Sequence, residues 1–126
     1  MDAGSTVSLT GSLFTLALVL LVVAGMARSG SLARNGAVGI RTRSTTASDQ
    51  AWVAGHRAAY GALRATGWLS LGFGALSLLL SVLVHGAAAV PIVLGTAGLG
   101  YAALVAGLVV STRRANRAAR SAPPHS

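Results

Sequence analysis

The residue types that could do chemistry are concentrated in one polar segment, residues 37–57, which reads AVGIRTRSTTASDQAWVAGHR. Its histidine, His56, and its carboxylate, Asp49, lie about two helical turns apart if the segment is helical. A catalytic triad or a three-ligand metal site needs more groups than these two, and the chain contains no cysteine or glutamate to complete either. The Gly36–Gly39 spacing is not a phosphate-binding loop, because the lysine and the flanking strand are missing. We therefore predict no enzyme activity, no catalytic residue, no metal site and no cofactor.

The composition around this segment is that of a membrane protein. Of 126 residues, 53% are hydrophobic and only 10% are charged, with a mean hydropathy of +0.68. Soluble domains carry about 25% charged residues. The charge is one-sided, with ten arginines, no lysine and a net charge of +8. In a soluble domain this balance would suggest nucleic acid, but the apolar majority favours the lipid bilayer as the partner.

Three segments are long and apolar enough to cross a bilayer of about 30 Å hydrocarbon, which requires about 20 residues. Residues 65–112 contain no charged side chain, and this run is long enough to cross twice. Gly86 and Pro91 supply the break, because proline is best tolerated in the first turn of a helix. The predicted spans are approximately 7–26, 67–84 and 87–111.

The arginines predict the orientation, because short loops rich in basic residues stay in the cytoplasm. The residues before span one include Asp2 and no basic residue, and the hairpin at 85–86 has no arginine. All ten arginines lie in residues 27–66 and in the tail, 112–126. We predict a multi-pass protein of the cell membrane with its N-terminus outside and with the 27–66 segment and the tail in the cytoplasm. A cleaved signal peptide is disfavoured, because the segment before span one lacks positive charge.

Two stripes of small or polar residues are predicted to pack helices together. Span two presents Ser70, Gly74, Ser77, Ser81 and His85 at helical spacing, and span three presents Gly98, Ala102 and Ala106. The alternative, a polar path for an ion or small solute, is weaker because no charged residue lies within a span. Since three helices enclose no pore, that alternative requires a homo-oligomer.

Residues 27–66 are too long for a simple connection and predict an amphipathic helix beginning near Asp49. Ser48 suits its N-cap, and the apolar side would present Trp52, His56 and Tyr60. We expect this helix to lie at the cytoplasmic interface, with its aromatic rings at headgroup depth, and to run into span two. The predicted fold is thus an all-α integral membrane protein, residues 1–126 forming one membrane domain with three transmembrane helices and a cytoplasmic amphipathic helix between the first and second.

The polar segment resembles the signature of the SdpI family, small bacterial multi-span membrane proteins named for an immunity protein. The matching residues, in order and spacing, are Asn35, Val38, Gly39, Ile40, Arg41, Thr42, Thr45, Ser48, Asp49, Trp52 and His56. This chain has Arg43 and Ser44 where the family pattern has Pro-Trp, and Thr46 where it has Leu. The resemblance implies an integral membrane protein whose best-understood relative protects its cell against a secreted toxic peptide and helps to signal its presence.

Two interpretations of the signature remain open, and they are compatible. In the first, Arg41 caps carbonyls or pairs with Asp49, and the segment is a folded cap on the helix ends. In the second, the segment is a recognition patch for a peptide, a lipid headgroup or a regulatory protein. The candidate binding residues are Asn35, Gly39, Ile40, Arg41, Thr42, Thr45, Asp49, Trp52 and His56.

The predicted function is immunity to, or sensing of, a membrane-active toxin or peptide through protein or peptide interaction. The candidate partners are a toxin peptide, a cytoplasmic regulatory protein and further copies of this chain. The alternative function is an oligomeric component for transport or permeation of a small solute. Nucleic acid is not expected as a partner, because the arginine-rich tail has no interleaved aromatic residues.

Overall fold

The computed structural model describes residues 3–30, 32–34 and 38–122, and it is built from three long helices. The helices are α1 (Ala3–Ser29), α2 (Asp49–Leu83) and α3 (Ala89–Arg120). Each is long and apolar enough to cross a membrane, which confirms the prediction of three such segments. All three extend beyond the predicted spans towards the arginines.

Local chemistry explains where the helices begin and end. Gly30 follows α1 with a φ of +75°, a left-handed conformation that suits glycine after a helix end. Ser48 caps α2, as predicted, because its Oγ accepts from the Ala51 N–H at 3.0 Å. Gly86, with a φ of +81°, turns the chain between α2 and α3, and Pro91 lies in the first turn of α3, as predicted.

Helix α2 lies between the other two helices and runs antiparallel to both. Gly67 lies against α1, since a Cβ there would be 2.8 Å from Leu21 Cγ. A Cβ at Gly107 of α3 would overlap the side chain of Thr66. Towards the other end, α1 meets α3, where the Tyr101 hydroxyl donates to the Leu9 carbonyl at 3.0 Å.

The outer surface of the bundle is apolar. Large hydrophobic side chains point outwards along all three helices, among them Leu16, Val19, Val22, Leu76, Leu79, Val82, Leu99, Val105 and Val109. A contiguous apolar surface of this kind is unfavourable in water and favourable in hydrocarbon. The protein is therefore a multi-pass membrane protein.

The antiparallel packing brings all ten arginines to one end of the bundle, which we call the arginine-rich end. It consists of the end of α1, the segment that follows it, the start of α2 and the end of α3. With 35 residues, α2 is about 52 Å long at 1.5 Å per residue. It exceeds the hydrocarbon thickness, so its charged first turns extend beyond the bilayer core.

The amphipathic helix predicted at the cytoplasmic interface is not confirmed, although residues 49–66 do run into span two as expected. Residues 49–66 are the first half of α2, with no break before the membrane segment. Their apolar side packs inside the protein, where Trp52 and His56 are 2% and 1% exposed. Trp52 is therefore not exposed at the surface of the protein, because the rest of the protein, including the preceding segment, covers it.

The packing stripe predicted on span two is confirmed for three of its five residues, since Ser81 is half-buried and His85 is exposed. The stripe predicted on span three is wrong. Ser70, Gly74 and Ser77 are buried, and the Ser77 hydroxyl donates to the Val93 carbonyl at 3.2 Å. Gly98, Ala102 and Ala106 instead face away from the bundle. The packing face of α3 carries Val93, Ala97, Gly100, Leu104, Ser111, Ala115 and Ala119.

The predicted tail, residues 112–126, is helical as far as Arg120. Helix α3 continues through the arginines to Arg120, and Ala115 and Ala119 are buried. The helix continues because its buried alanines still pack against the start of α2: a Cβ at Gly55 would lie 3.0 Å from the Ala115 carbonyl oxygen. Residues 123–126 lie outside the described residues.

Candidate functional site

Residues 38–48, which we call the signature loop, have no regular secondary structure. Hydrogen bonds between threonine hydroxyls and backbone groups hold the loop together. The Thr45 hydroxyl donates to the Ile40 carbonyl at 2.7 Å and accepts from the Thr42 N–H at 2.9 Å. A backbone turn follows, with the Thr46 N–H donating to the Thr42 carbonyl at 3.0 Å. Thr45 is fully buried, so this one side chain satisfies two backbone groups inside the loop.

His56 fastens the signature loop to α2. Its Nε2 accepts a hydrogen bond from the Ile40 N–H at 2.9 Å, and its Nδ1 lies 2.9 Å from the Trp52 carbonyl oxygen. Because Nε2 accepts, the ring is neutral and the proton is on Nδ1, which donates to that carbonyl. The imidazole thus joins a loop amide to the helix backbone.

Trp52 fills the space beneath the loop. Its Nε1 donates to the Leu32 carbonyl at 2.8 Å, and its ring centroid lies 4.1 Å from that of His56. Gly39 passes directly over both rings with a φ of +129°. A Cβ at Gly39 would lie 2.8 Å from Trp52 Cη2 and 2.9 Å from His56 Nε2. Only glycine fits here, because the backbone has a positive φ and because there is no space for a Cβ.

Arg41 lies on the outer surface of this assembly. Its guanidinium carbon is 5.3 Å from the Trp52 ring centroid, a cation–π distance, and Nη1 donates to the Arg34 carbonyl at 2.7 Å. Of the two roles predicted for Arg41, the structure therefore shows carbonyl capping. Asp49 pairs instead with Arg34, at 3.0 Å.

The signature loop is also bonded to the end of α3. The Thr42 hydroxyl donates to Asn116 Oδ1 at 2.5 Å, and Arg120 Nε donates to the Ser44 hydroxyl at 3.3 Å. Asn116 is not among the predicted site residues, since it lies far along the chain from Thr42. The one feature of the sequence that could have indicated its role is that it is the only asparagine among the tail arginines.

The family model described as the SdpI/YfhL protein family matches residues 31–112. The match covers well over half of the chain, including the whole signature loop, α2 and most of α3. The chain belongs to this family. Comparison with curated proteins and with solved structures gives no significant match.

In this SdpI/YfhL protein, the predicted binding residues that the structure describes fall into three groups by exposure. Thr45, Trp52 and His56 are buried and bonded within the protein, whereas Arg41 and Asp49 are exposed. The half-buried residues are Gly39, Ile40 and Thr42. Asn35 lies outside the described residues.

The described part of this SdpI/YfhL protein holds no cluster of three metal-binding side chains. Its signature loop presents guanidinium and hydroxyl groups, with the stacked rings of Trp52 and His56 buried beneath them. Arginine with this support suits carboxylates and phosphates, which it binds through charge-assisted hydrogen bonds.

Proposed function

We propose that this SdpI/YfhL protein is an interaction protein of the cell membrane that protects the cell against, or senses, a membrane-active toxin or peptide. The observation that carries the proposal is the way in which the Arg41 side chain is held in place. Its guanidinium is exposed, yet it is stacked on Trp52 and bonded to the Arg34 carbonyl. An arginine held in this way loses little conformational entropy when it binds an anionic group.

The proposed orientation has the N-terminus outside and the arginine-rich end in the cytoplasm. Support comes from the clustering of all ten arginines at one end, together with the positive-inside rule. In this orientation the signature loop meets a cytoplasmic regulatory protein, or a peptide that has crossed the bilayer. The anionic group of that partner, a carboxylate or a phosphate, would bind at Arg41.

The packing of the serine stripe supports this proposal over a permeation component. Ser77 is bonded to α3 and Ser70 is fully buried between helices. Neither hydroxyl faces the outer surface, where copies of an oligomer would have to build a polar path.

The test is survival of cells that express the protein when challenged with a panel of membrane-active peptides. We compare wild type, empty vector, Arg41→Ala and the control Arg43→Ala, at membrane levels matched by immunoblot. Arg43 is exposed in the same loop, so the control removes the same charge. We expect wild type and Arg43→Ala to protect and Arg41→Ala to lose protection.

Two results would contradict the proposal. If no peptide distinguishes wild type from empty vector, the protein confers no immunity. If Arg41→Ala protects as well as wild type, the signature loop does not make the decisive contact. His56→Ala serves as a folding reference, because removing the bond to Ile40 is expected to lower the amount of protein in the membrane.

A further inference from the structure

The exposed face of α3 carries two adjoining hollows along its C-terminal half. The first is apolar, has a volume of about 420 Å³ and is lined by Val105, Leu108, Val109, Thr112 and Arg113. The second is basic, has a volume of about 430 Å³ and is lined by Arg113, Asn116, Arg117, Arg120 and Ser121. Arg113 lines both, so the two open hollows together form one shallow groove along this face of α3.

We propose that this groove binds one anionic phospholipid, with an acyl chain in the apolar hollow and the phosphate in the basic hollow. The order of the hollows fits the lipid. The apolar hollow lies on the uncharged part of the chain that ends at Thr112, which faces the bilayer interior. Arg113 is the first charge beyond it, where lipid phosphates lie.

The charge of the basic hollow calls for an external anion. Arg113, Arg117 and Arg120 follow one face of α3 at spacings of four and three, where like charges repel. Among the described residues no carboxylate pairs with them, since Asp49 is bonded to Arg34. A phosphate would bridge guanidinium groups that otherwise repel one another.

The helix dipole does not explain this alignment. Cations near a helix C-terminus interact favourably with the dipole wherever they lie around the axis. Arg114 lies on another face of α3 and interacts with the dipole equally well, so the dipole does not require the arginines to share one face. What distinguishes Arg113, Arg117 and Arg120 is that they share a hollow with the amide of Asn116. A zwitterionic headgroup fits less well, because its own cation would face these guanidiniums.

The proposed lipid site touches the signature loop directly. Asn116 accepts from the Thr42 hydroxyl and Arg120 donates to the Ser44 hydroxyl. A phosphate that orders these two side chains would also hold the loop against α3. Lipid occupancy and loop order are therefore coupled, and this coupling does not depend on the immunity proposal.

The test measures lipids retained by the purified full-length protein, using native mass spectrometry after exposure to equal amounts of phosphatidylglycerol and phosphatidylcholine in detergent. We expect one phosphatidylglycerol retained in preference to phosphatidylcholine. Arg117→Gln should weaken this retention about tenfold, the effect of losing one charge-assisted bond. Arg114→Gln removes the same charge outside both hollows and should leave retention unchanged.

Two further measurements separate a phospholipid from other anions. Val109→Trp fills the apolar hollow and should reduce retention, although the charge is unchanged. Inorganic phosphate at millimolar concentration should fail to displace the lipid. The proposal is overturned if Arg114→Gln and Arg117→Gln lose retention equally, if phosphatidylcholine is retained as well as phosphatidylglycerol, if Val109→Trp retains lipid normally, or if inorganic phosphate competes.

Discussion

At the scale of single residues, the signature side chains hold their segment in place through hydrogen bonds to backbone atoms. His56 binds the Ile40 N–H and Trp52 binds the Leu32 carbonyl, so two side chains of α2 replace the partners that a strand or helix would provide. A segment without regular structure must satisfy its polar backbone groups in some such way. These residues therefore set the position of Arg41, whose side chain is exposed.

Trp52→Phe tests this bonding against a control with the same chemical change. The substitution leaves the buried Leu32 carbonyl without its donor and shrinks a buried ring, at an expected cost of about 1–3 kcal/mol. Trp68 is 55% exposed, so Trp68→Phe should change stability by less than about 0.5 kcal/mol. Thermal unfolding in detergent, followed by circular dichroism, measures both. Equal melting temperatures for the two variants would contradict the role given to the Trp52 indole.

At the scale of helices, close approach depends on where the small residues face. Gly67 and Gly107 lie at the contacts of α2 with α1 and with α3, and the absence of a side chain lets the backbones come together. Gly98 has open space around it. Spacing alone predicted the Gly98 stripe as a contact, but helix rotation turned it outwards.

Gly107→Leu and Gly98→Leu separate these two positions on the same helix. A side chain at Gly107 meets Thr66 and should cost about 1–3 kcal/mol through overpacking. At Gly98 the same side chain enters open space and should not lower the melting temperature. Circular dichroism in detergent again gives the comparison. Destabilisation by Gly98→Leu as large as that by Gly107→Leu would show that the stripe packs against something after all.

At the scale of the whole molecule, antiparallel packing collects charge at one end. The end of α1, the signature loop, the start of α2 and the end of α3 meet there, and together they contain every arginine. The opposite end carries the short connection at Gly86 and no arginine. This separation makes the bundle strongly polar along its axis, as the positive-inside rule requires of a short-looped membrane protein.

Single cysteines test the proposed orientation, since the natural chain has none. Ala87→Cys lies in the exposed α2–α3 connection and Ala47→Cys in the exposed part of the signature loop. A membrane-impermeant maleimide applied to intact cells should label position 87 and not position 47. After permeabilisation both should react. Labelling of position 47 in intact cells would contradict the proposed orientation.

The sequence by itself determined the membrane class, the three apolar helices, the Ser48 cap, the turn at Gly86 and, through the signature segment, the family. These features depend on local composition and on short spacings. It did not determine that the apolar side of residues 49–66 packs inside the protein, nor which face of α3 packs.

Only the tertiary structure decided which signature residues point inwards. The amphipathic pattern of Trp52 and His56 is the same whether the apolar face meets lipid or protein, because both exclude water. The pairing of Thr42 with Asn116 arises from contact between segments distant in the chain. Such contacts depend on the rotation and depth of each helix, and these are set by packing against neighbours.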